Sequence, residues 1–280
     1  MKSTLSVVDW RPVPVDITLA RGLAIAAAGC AAGCINAIVG SGTLISFPTL
    51  VGLGFDKVPA NIANTMGLTP GSGSAVVAMR PELAGQRDRM RRLVPFSIAG
   101  ALLGASLVLV LSPKVFQRVV PFLVLIGVVL VAVQPKLQAR LRARKAGATT
   151  PNDGEREHHG WGLRAGVFAT GIYGGYFGAA QGVILMGVLG SMVDDALPRL
   201  NATKNVLAGC ANGAAALVFI GRGVFFGGSV PWAAAGIVAA SSIVGGQLGA
   251  RVSRRIKPSF LRALIIIVGL TVATRMLLTN

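Results

Sequence analysis

GCINAIVGSGTLISFPTL, residues 33–50, is apolar enough to lie in a membrane, yet it is broken where a spanning helix should be smooth. Glycines stand at Gly33, Gly40 and Gly42, hydroxyl side chains at Ser41, Thr43 and Ser46, and a proline at Pro48. In lipid every backbone N–H and C=O must find a partner. Irregular backbone therefore survives only where protein buries it or where it lines a watery cavity. Opening a helix at 40–43 frees the N–H groups that begin the following half-helix. Helix N-termini carry partial positive charge and bind anions, and glycine lets a ligand approach the backbone closely. Ser41 and Thr43 add hydroxyl donors.

The composition places this stretch in a membrane protein. Of 280 residues, 53% are hydrophobic and only 13% charged, and mean hydropathy is +0.68. A soluble domain carries about 25% charged residues. No cleavable leader is expected, because the first twenty residues include Asp9, Arg11, Pro12, Pro14 and Asp16 and no apolar core. The net charge of +17 reads as basic loops that orient the chain in a bilayer and not as a nucleic-acid surface. Cys30, Cys34 and Cys210 form neither a metal-ligand pattern nor a disulfide framework. No metal and no cofactor are expected.

Working outward, apolar regions cover 22–53, 62–79, 93–111, 115–133, 162–192, 203–220, 231–252 and 260–278. The first would be about 48 Å long as one helix, against a hydrocarbon core of roughly 30 Å. It and the fifth are too long for a single span, and glycines break both. The domains follow: a tail over 1–21, a first transmembrane repeat over 22–133, a polar linker over 134–161 and a second repeat over 162–280. The linker stretch from 134 to 159 reads as flexible, basic first and then acidic.

The repeats are visible in the residues. GCINAIVGSGTLIS at Gly33 matches GIYGGYFGAAQGVI at Gly171, and ANTMG at Ala63 matches NATKN at Asn201 with the same spacing. GALLGASLVLVLSPKVF at Gly100 matches GGQLGARVSRRIKPSFL at Gly245. Basic residues crowd the loop after the second region (Arg80, Arg87, Arg89, Arg91, Arg92), whereas its counterpart has only Arg222. The next loop reverses this: Lys114 and Arg118 answer Arg251, Arg254, Arg255 and Lys257. Because positive loops face the cytoplasm, the halves read as inverted. With a linker that does not cross, inversion needs an odd number of crossings per half. Re-entrant hairpins in regions one and five supply it, with both termini outside. Eight ordinary spans, with both termini inside, are the rival. The expected fold is an all-α polytopic membrane protein of two four-segment repeats, each opening with a Gly-broken helix–loop–helix segment.

Interrupted segments at matching places in two halves point to a transporter site. The candidate residues are Gly40, Ser41, Gly42 and Thr43 in the first break and Gly178, Ala180, Gln181 and Gly182 in the second. Asn64, Thr65, Thr203, Lys204 and Asn205 stand at the start of the helices that follow. The glycine pairs Gly100/Gly104 and Gly245/Gly249 read as helix packing, which small-xxx-small spacing serves; such faces suit internal packing and a homodimer equally. Asn61 and Asn201 read as N-caps. Lys204, in or beside an apolar run, either faces an anion or snorkels to the interface. None of the ten acids falls in the middle of a span, which argues against a cation pump and against a membrane phosphatase. A passive anion channel is the other alternative. It would need a continuous polar path, and the spans show few polar residues outside the breaks.

At these residues the chain resembles the TauE/SafE family of sulfite and organosulfur-anion exporters. The matching pieces are GSGTLISFPTLVGLGFDKVPANIANTMGL (40–68), GAAQGVILMGVLGSMVDDALPRLNATKNVLAG (178–209) and GGQLGARVSRRIKPSFLRALIIIVGL (245–270). The resemblance implies a bacterial inner-membrane carrier of about eight helices that exports small anions such as sulfite or sulfonates. It also implies that Gly40, Gly42 and Gly178 form paired turns, each followed by a threonine, Thr65 and Thr203. Ala180 departs from the pattern, where glycine is common, and this weakens the second turn as a backbone cradle.

Overall fold

The computed structural model describes residues 15–146, 160–226, 230–252 and 258–278. They form α1 (Leu19–Ile38), α2 (Thr43–Gly52), α3 (Lys57–Ala78), a 3-10 turn at Pro81–Leu83, α4 (Arg87–Val110), α5 (Pro113–Ala146), α6 (Trp161–Tyr176), α7 (Gln181–Met192), α8 (Leu197–Phe226), α9 (Trp232–Val252) and α10 (Pro258–Leu278). No strand occurs among the described residues. By length and composition α1, α4, α5, α8, α9 and α10 suit membrane crossing, and α2 and α7 are shorter apolar helices. The expected all-α polytopic membrane fold is what the chain adopts. The helix ends differ from the apolar regions. α3 and α8 begin at Lys57 and Leu197, and α5 runs to Ala146, into the stretch read as a flexible linker. Residues 136–146, KLQARLRARKA, contain no glycine and consist of strong helix formers. Residues 147–159, with His158 and His159, and residues 253–257 lie outside the described residues.

Glycine decides which helices touch. A Cβ on Gly100 or Gly104 would lie 2.2 or 2.1 Å from the carbonyls of Phe168 or Ile172 on α6. One on Gly245 or Gly249 would lie 2.0 or 2.5 Å from Cys30 or Cys34 on α1. These are the two pairs read as packing glycines. The register shows α1 parallel to α9 and α4 parallel to α6. Gly67 and Gly71 of α3 rest on Val238 and Ser242 of α9, while Ser97 of α4 donates to the Leu207 carbonyl of α8 at 2.8 Å. Each half-helix before a break thus lies along a helix from the other half of the chain.

The broken segments turn back. Gly166 and Gly162 of α6 face Val188 and Met192 of α7, so α7 returns toward the end where α6 began. That end also carries Met79, Pro81 and Glu82, the start of α8 at Leu197 and Pro198, and Arg251 of α9, which together line one cavity. α1 starts at the opposite end, because it runs parallel to α9. α2 returns there to join α3, whose Lys57 Nζ reaches the Gln117 carbonyl at the start of α5 at 3.4 Å. The two hairpins enter from opposite ends and meet inside, around Phe47 and Phe177 packed edge to face at 5.0 Å.

Candidate functional site

Both breaks are made the same way. The N–H groups of Val39 and Gly40 both return to the Ile35 carbonyl, at 2.7 and 3.1 Å, and close α1. Those of Phe177 and Gly178 return to the Tyr173 carbonyl, at 2.9 and 3.0 Å, and close α6. Gly40 and Gly178 then take φ of 85° and 74°, a region that glycine enters without strain. Ala180 at φ 59° is the one non-glycine with positive φ among the described residues. The missing glycine therefore leaves the left-handed turn in place and strains it.

The breaks touch. The Gly182 N–H donates to the Gly40 carbonyl at 2.9 Å. A Cβ on either glycine would fall 2.5 Å from the other's Cα, so close backbone approach is what these two positions require. At Gly42 a Cβ would meet the Ala32 carbonyl at 2.2 Å. The expected open cradle is partly corrected here, because the Gly182 N–H is already spent on Gly40. The remaining donors are numerous. Among the described residues no backbone carbonyl accepts from the N–H groups of Ser41, Gly42, Thr43, Ala179 or Ala180. Ser41 Oγ and Gln181 Nε2 are buried without partners. Each buried donor left unpaired costs about 1–3 kcal/mol, so the N-termini of α2 and α7 jointly favour an acceptor-rich guest.

Lys204 is fully buried, which removes the snorkelling reading. Its Cδ would sit 3.1 Å from a Cβ on Gly182, and Nζ reaches the Asn36 carbonyl at 3.5 Å. Asn205 Nδ2 donates to the Ala37 carbonyl at 3.2 Å. Both cap the C-terminal end of α1, where a cation is favoured by the helix dipole. In the first half Asn64 Nδ2 donates to Thr43 Oγ1 at 3.2 Å, and Ser46 Oγ donates to Asn64 Oδ1. Thr65 is buried one residue on, and its hydroxyl bonds none of these groups.

Two expectations are corrected by this geometry. Thr203 turns away from the breaks: Oγ1 bonds Gln86 Oε1 at 2.7 Å and the Arg199 carbonyl at 3.1 Å. Asn61 and Asn201 are not N-caps, since α3 and α8 begin four residues earlier. Asn61 Nδ2 donates to the Tyr176 carbonyl at the end of α6 (3.1 Å), and Asn201 Nδ2 to the Ala37 carbonyl near the end of α1 (3.5 Å). Both asparagines were visible in the sequence, but their partners lie more than a hundred residues away.

Sequence reasoning also missed an ionic tie. Arg89, 4% exposed, donates to Asp195 Oδ2 at 2.7 Å and to Gln86 Oε1. Arg199 Nε donates to Asp195 Oδ1 at 2.8 Å, and its Nη1 to the Ala84 carbonyl at 2.9 Å. Burial pushes the Asp195 carboxyl up, but hydrogen bonds from Arg89, the Ala196 N–H and Arg199 outweigh it and hold the carboxyl below its ordinary value. This tie fixes the α7–α8 turn to the start of α4. Beside it opens a cavity of about 720 Å³, lined by Ile38, Met79, Glu82, Met186, Asn201 and Arg251 among others. Met79 Sδ lies 3.0 Å from Asn205 Nδ2, so the cavity reaches within one side chain of the α1 cap. Among the described residues no three His, Cys, Asp or Glu side chains gather to hold a metal.

Comparison with known proteins gives a consistent picture. A family model described as sulfite exporter TauE/SafE matches residues 25–276. The probable membrane transporter protein YfcA of Escherichia coli K12 is 24% identical over 250 residues, covering 88% of this chain and 86% of that protein. A probable membrane transporter protein of Haemophilus influenzae is 26% identical over 249 residues, covering 89% and 91%. The ORF9 probable membrane transporter protein of a Sinorhizobium species is 25% identical over 252 residues, covering 88% of each. No solved structure matches the chain.

Proposed function

The chain belongs to the TauE/SafE family of membrane transporters, and on that premise we propose that it is a secondary carrier exporting small sulfur-containing anions such as sulfite or sulfonates. One observation carries the reading. Five backbone N–H groups without backbone acceptors, the Ser41 hydroxyl and the Gln181 amide gather at two touching half-helix N-termini beside buried Lys204. Such a site offers donors and positive potential, which suits an oxyanion. The family description supports sulfur oxyanions as the class.

Alternating access supplies the movement. The backbone contact between the breaks is one hydrogen bond and one glycine pair, with Phe47 on Phe177 beside it, and the hairpins that bear it pack mainly on helices of the opposite half. The exchanged packing supports an inverted pair of repeats that rock about the breaks. The end that carries Arg80, Arg87 and Arg251 is cytoplasmic by the positive-inside rule, which puts the start of α1 and the end of α10 outside. The cavity at that end is then the cytoplasmic entry. With the cell interior negative, exit of an anion is favoured by about 2.3 kcal/mol per charge per 100 mV, so export needs no coupling ion.

The test is uptake of labelled sulfite by proteoliposomes holding the purified protein, with sulfonates, sulfate and chloride as competitors and Gly40→Leu as control. The reading expects saturable uptake that sulfonates block and the variant loses. Absence of uptake at either sign of membrane potential overturns the substrate class. Unitary conductance in bilayer recordings overturns the carrier.

A further inference from the structure

We propose that the C-terminal end of α6 binds a monovalent cation of the sodium type, held by backbone carbonyls of Gly174, Gly175 and Tyr176 and by Asn61 Oδ1. The two half-helices treat their last carbonyls differently. An α-helix leaves its final C=O groups without intrahelical donors, and they point out along the axis. They also carry the negative end of the helix dipole.

At the end of α1 these acceptors are well supplied. Lys204 Nζ serves the Asn36 carbonyl, Asn201 and Asn205 serve Ala37, and Gln134 Nε2 serves Val39 at 3.4 Å. Three amides and an ammonium thus face one helix end. At the end of α6 the supply fails. The Phe177 and Gly178 N–H groups both go to Tyr173, which leaves Gly174 and Gly175 without backbone donors. Among the described residues the one side-chain donor is Asn61, on Tyr176.

Asn61 adds a second observation. It is fully buried. Its Nδ2 is fixed by its bond to a carbonyl, which can only accept, so the amide orientation is forced. Its Oδ1 is then an acceptor with no partner, buried at the same helix end. Two free carbonyls, a singly bonded carbonyl and an orphan amide oxygen form an acceptor surplus in a low-dielectric interior. Hard monovalent cations take oxygen ligands of this kind, and half-helix C-termini in carriers are places that hold them.

The comparison between halves sharpens the assignment. Counted from the first residues of α3 and α8, Asn61 corresponds to Asn201 and Asn64 to Lys204. The first position is an asparagine in both halves and reaches the opposite hairpin in both. The second is a lysine only in the second half. Lys204 thus gives α1 a built-in amino donor, and among the described residues α6 has no covalent equivalent. A free cation at α6 restores the balance. This inference concerns cation binding alone and does not rest on the identity of the anion or the direction of transport.

The test is the melting temperature of the purified protein as NaCl replaces choline chloride at constant chloride and ionic strength. Chloride stays fixed, so the anion site experiences no change. The proposal expects a saturable rise of about 3 °C when sodium exceeds its dissociation constant tenfold, absent in Asn61→Ala and retained in Asn61→Asp. Equilibrium binding of radioactive sodium, competed by sodium and not by choline, gives the same answer on the unaltered chain. Equal melting temperatures in sodium and choline, or a sodium effect that survives Asn61→Ala, would overturn it. Sulfite binding measured in choline salts reports on the anion site separately.

Discussion

At the scale of single residues, two glycines and one lysine carry the account. Gly40 is constrained twice, by a positive φ and by Gly182 at backbone distance. Gly40→Ala should therefore cost at least the roughly 1–2 kcal/mol of a left-handed non-glycine, plus separation of the breaks, and should abolish transport. Gly182→Ala, free of the φ constraint, should lower transport with a smaller loss of melting temperature. Comparing melting and uptake for the pair separates strain from contact. Lys204→Ala should weaken anion affinity about tenfold or more while the protein still expresses and folds; unchanged affinity in the purified variant removes Lys204 from the site. These residues were legible because glycine and lysine are conspicuous in apolar sequence. The roles of Asn61, Asn201 and Thr203 were not. Each depends on a partner brought close only by the fold: Tyr176, Ala37 and Gln86.

At the scale of elements, the broken segments were visible because a run of about 30 apolar residues exceeds the bilayer and glycine marks the point of fracture. The true helix starts were hidden. Lys57, Asn61, Arg199 and Asn201 lower the local hydropathy, although α3 and α8 run straight through them. The tie of Arg89, Asp195 and Arg199 was hidden for a related reason: loop charges read as orientation signals. The Asp195 carboxyl is held below its ordinary value. Its stabilising contribution is complete above the unfolded value, near 4, and is lost as pH falls through the folded value. Melting temperature should thus drop as pH falls below about 4, and Asp195→Asn should remove part of that drop. A variant with the full pH-dependent loss would show that the tie is not its source. Ala180→Gly, by relieving a left-handed alanine, should stabilise by about 1 kcal/mol, read as a higher melting temperature.

At the scale of the whole molecule, two hairpins enter from opposite ends and are gripped by helices of the other half. Pro81 and Glu82 of the 80–92 loop and Arg251 at the end of α9 line one cavity; the contact between the breaks was beyond any pattern in the sequence, because it joins residues 40 and 182 through the backbone. If the basic end is cytoplasmic, a cysteine introduced at Ser3 should react with an impermeant thiol reagent from outside intact cells. Labelling from the inside alone would reverse the orientation.

The central claim is that an anion is held where the breaks meet. Equilibrium binding of labelled sulfite to the purified protein tests it most directly, with Gly40→Leu and Lys204→Ala measured alongside. The account predicts saturable binding that Gly40→Leu abolishes and Lys204→Ala weakens about tenfold or more. Equal binding by all three proteins, at their verified folded fractions, would contradict it.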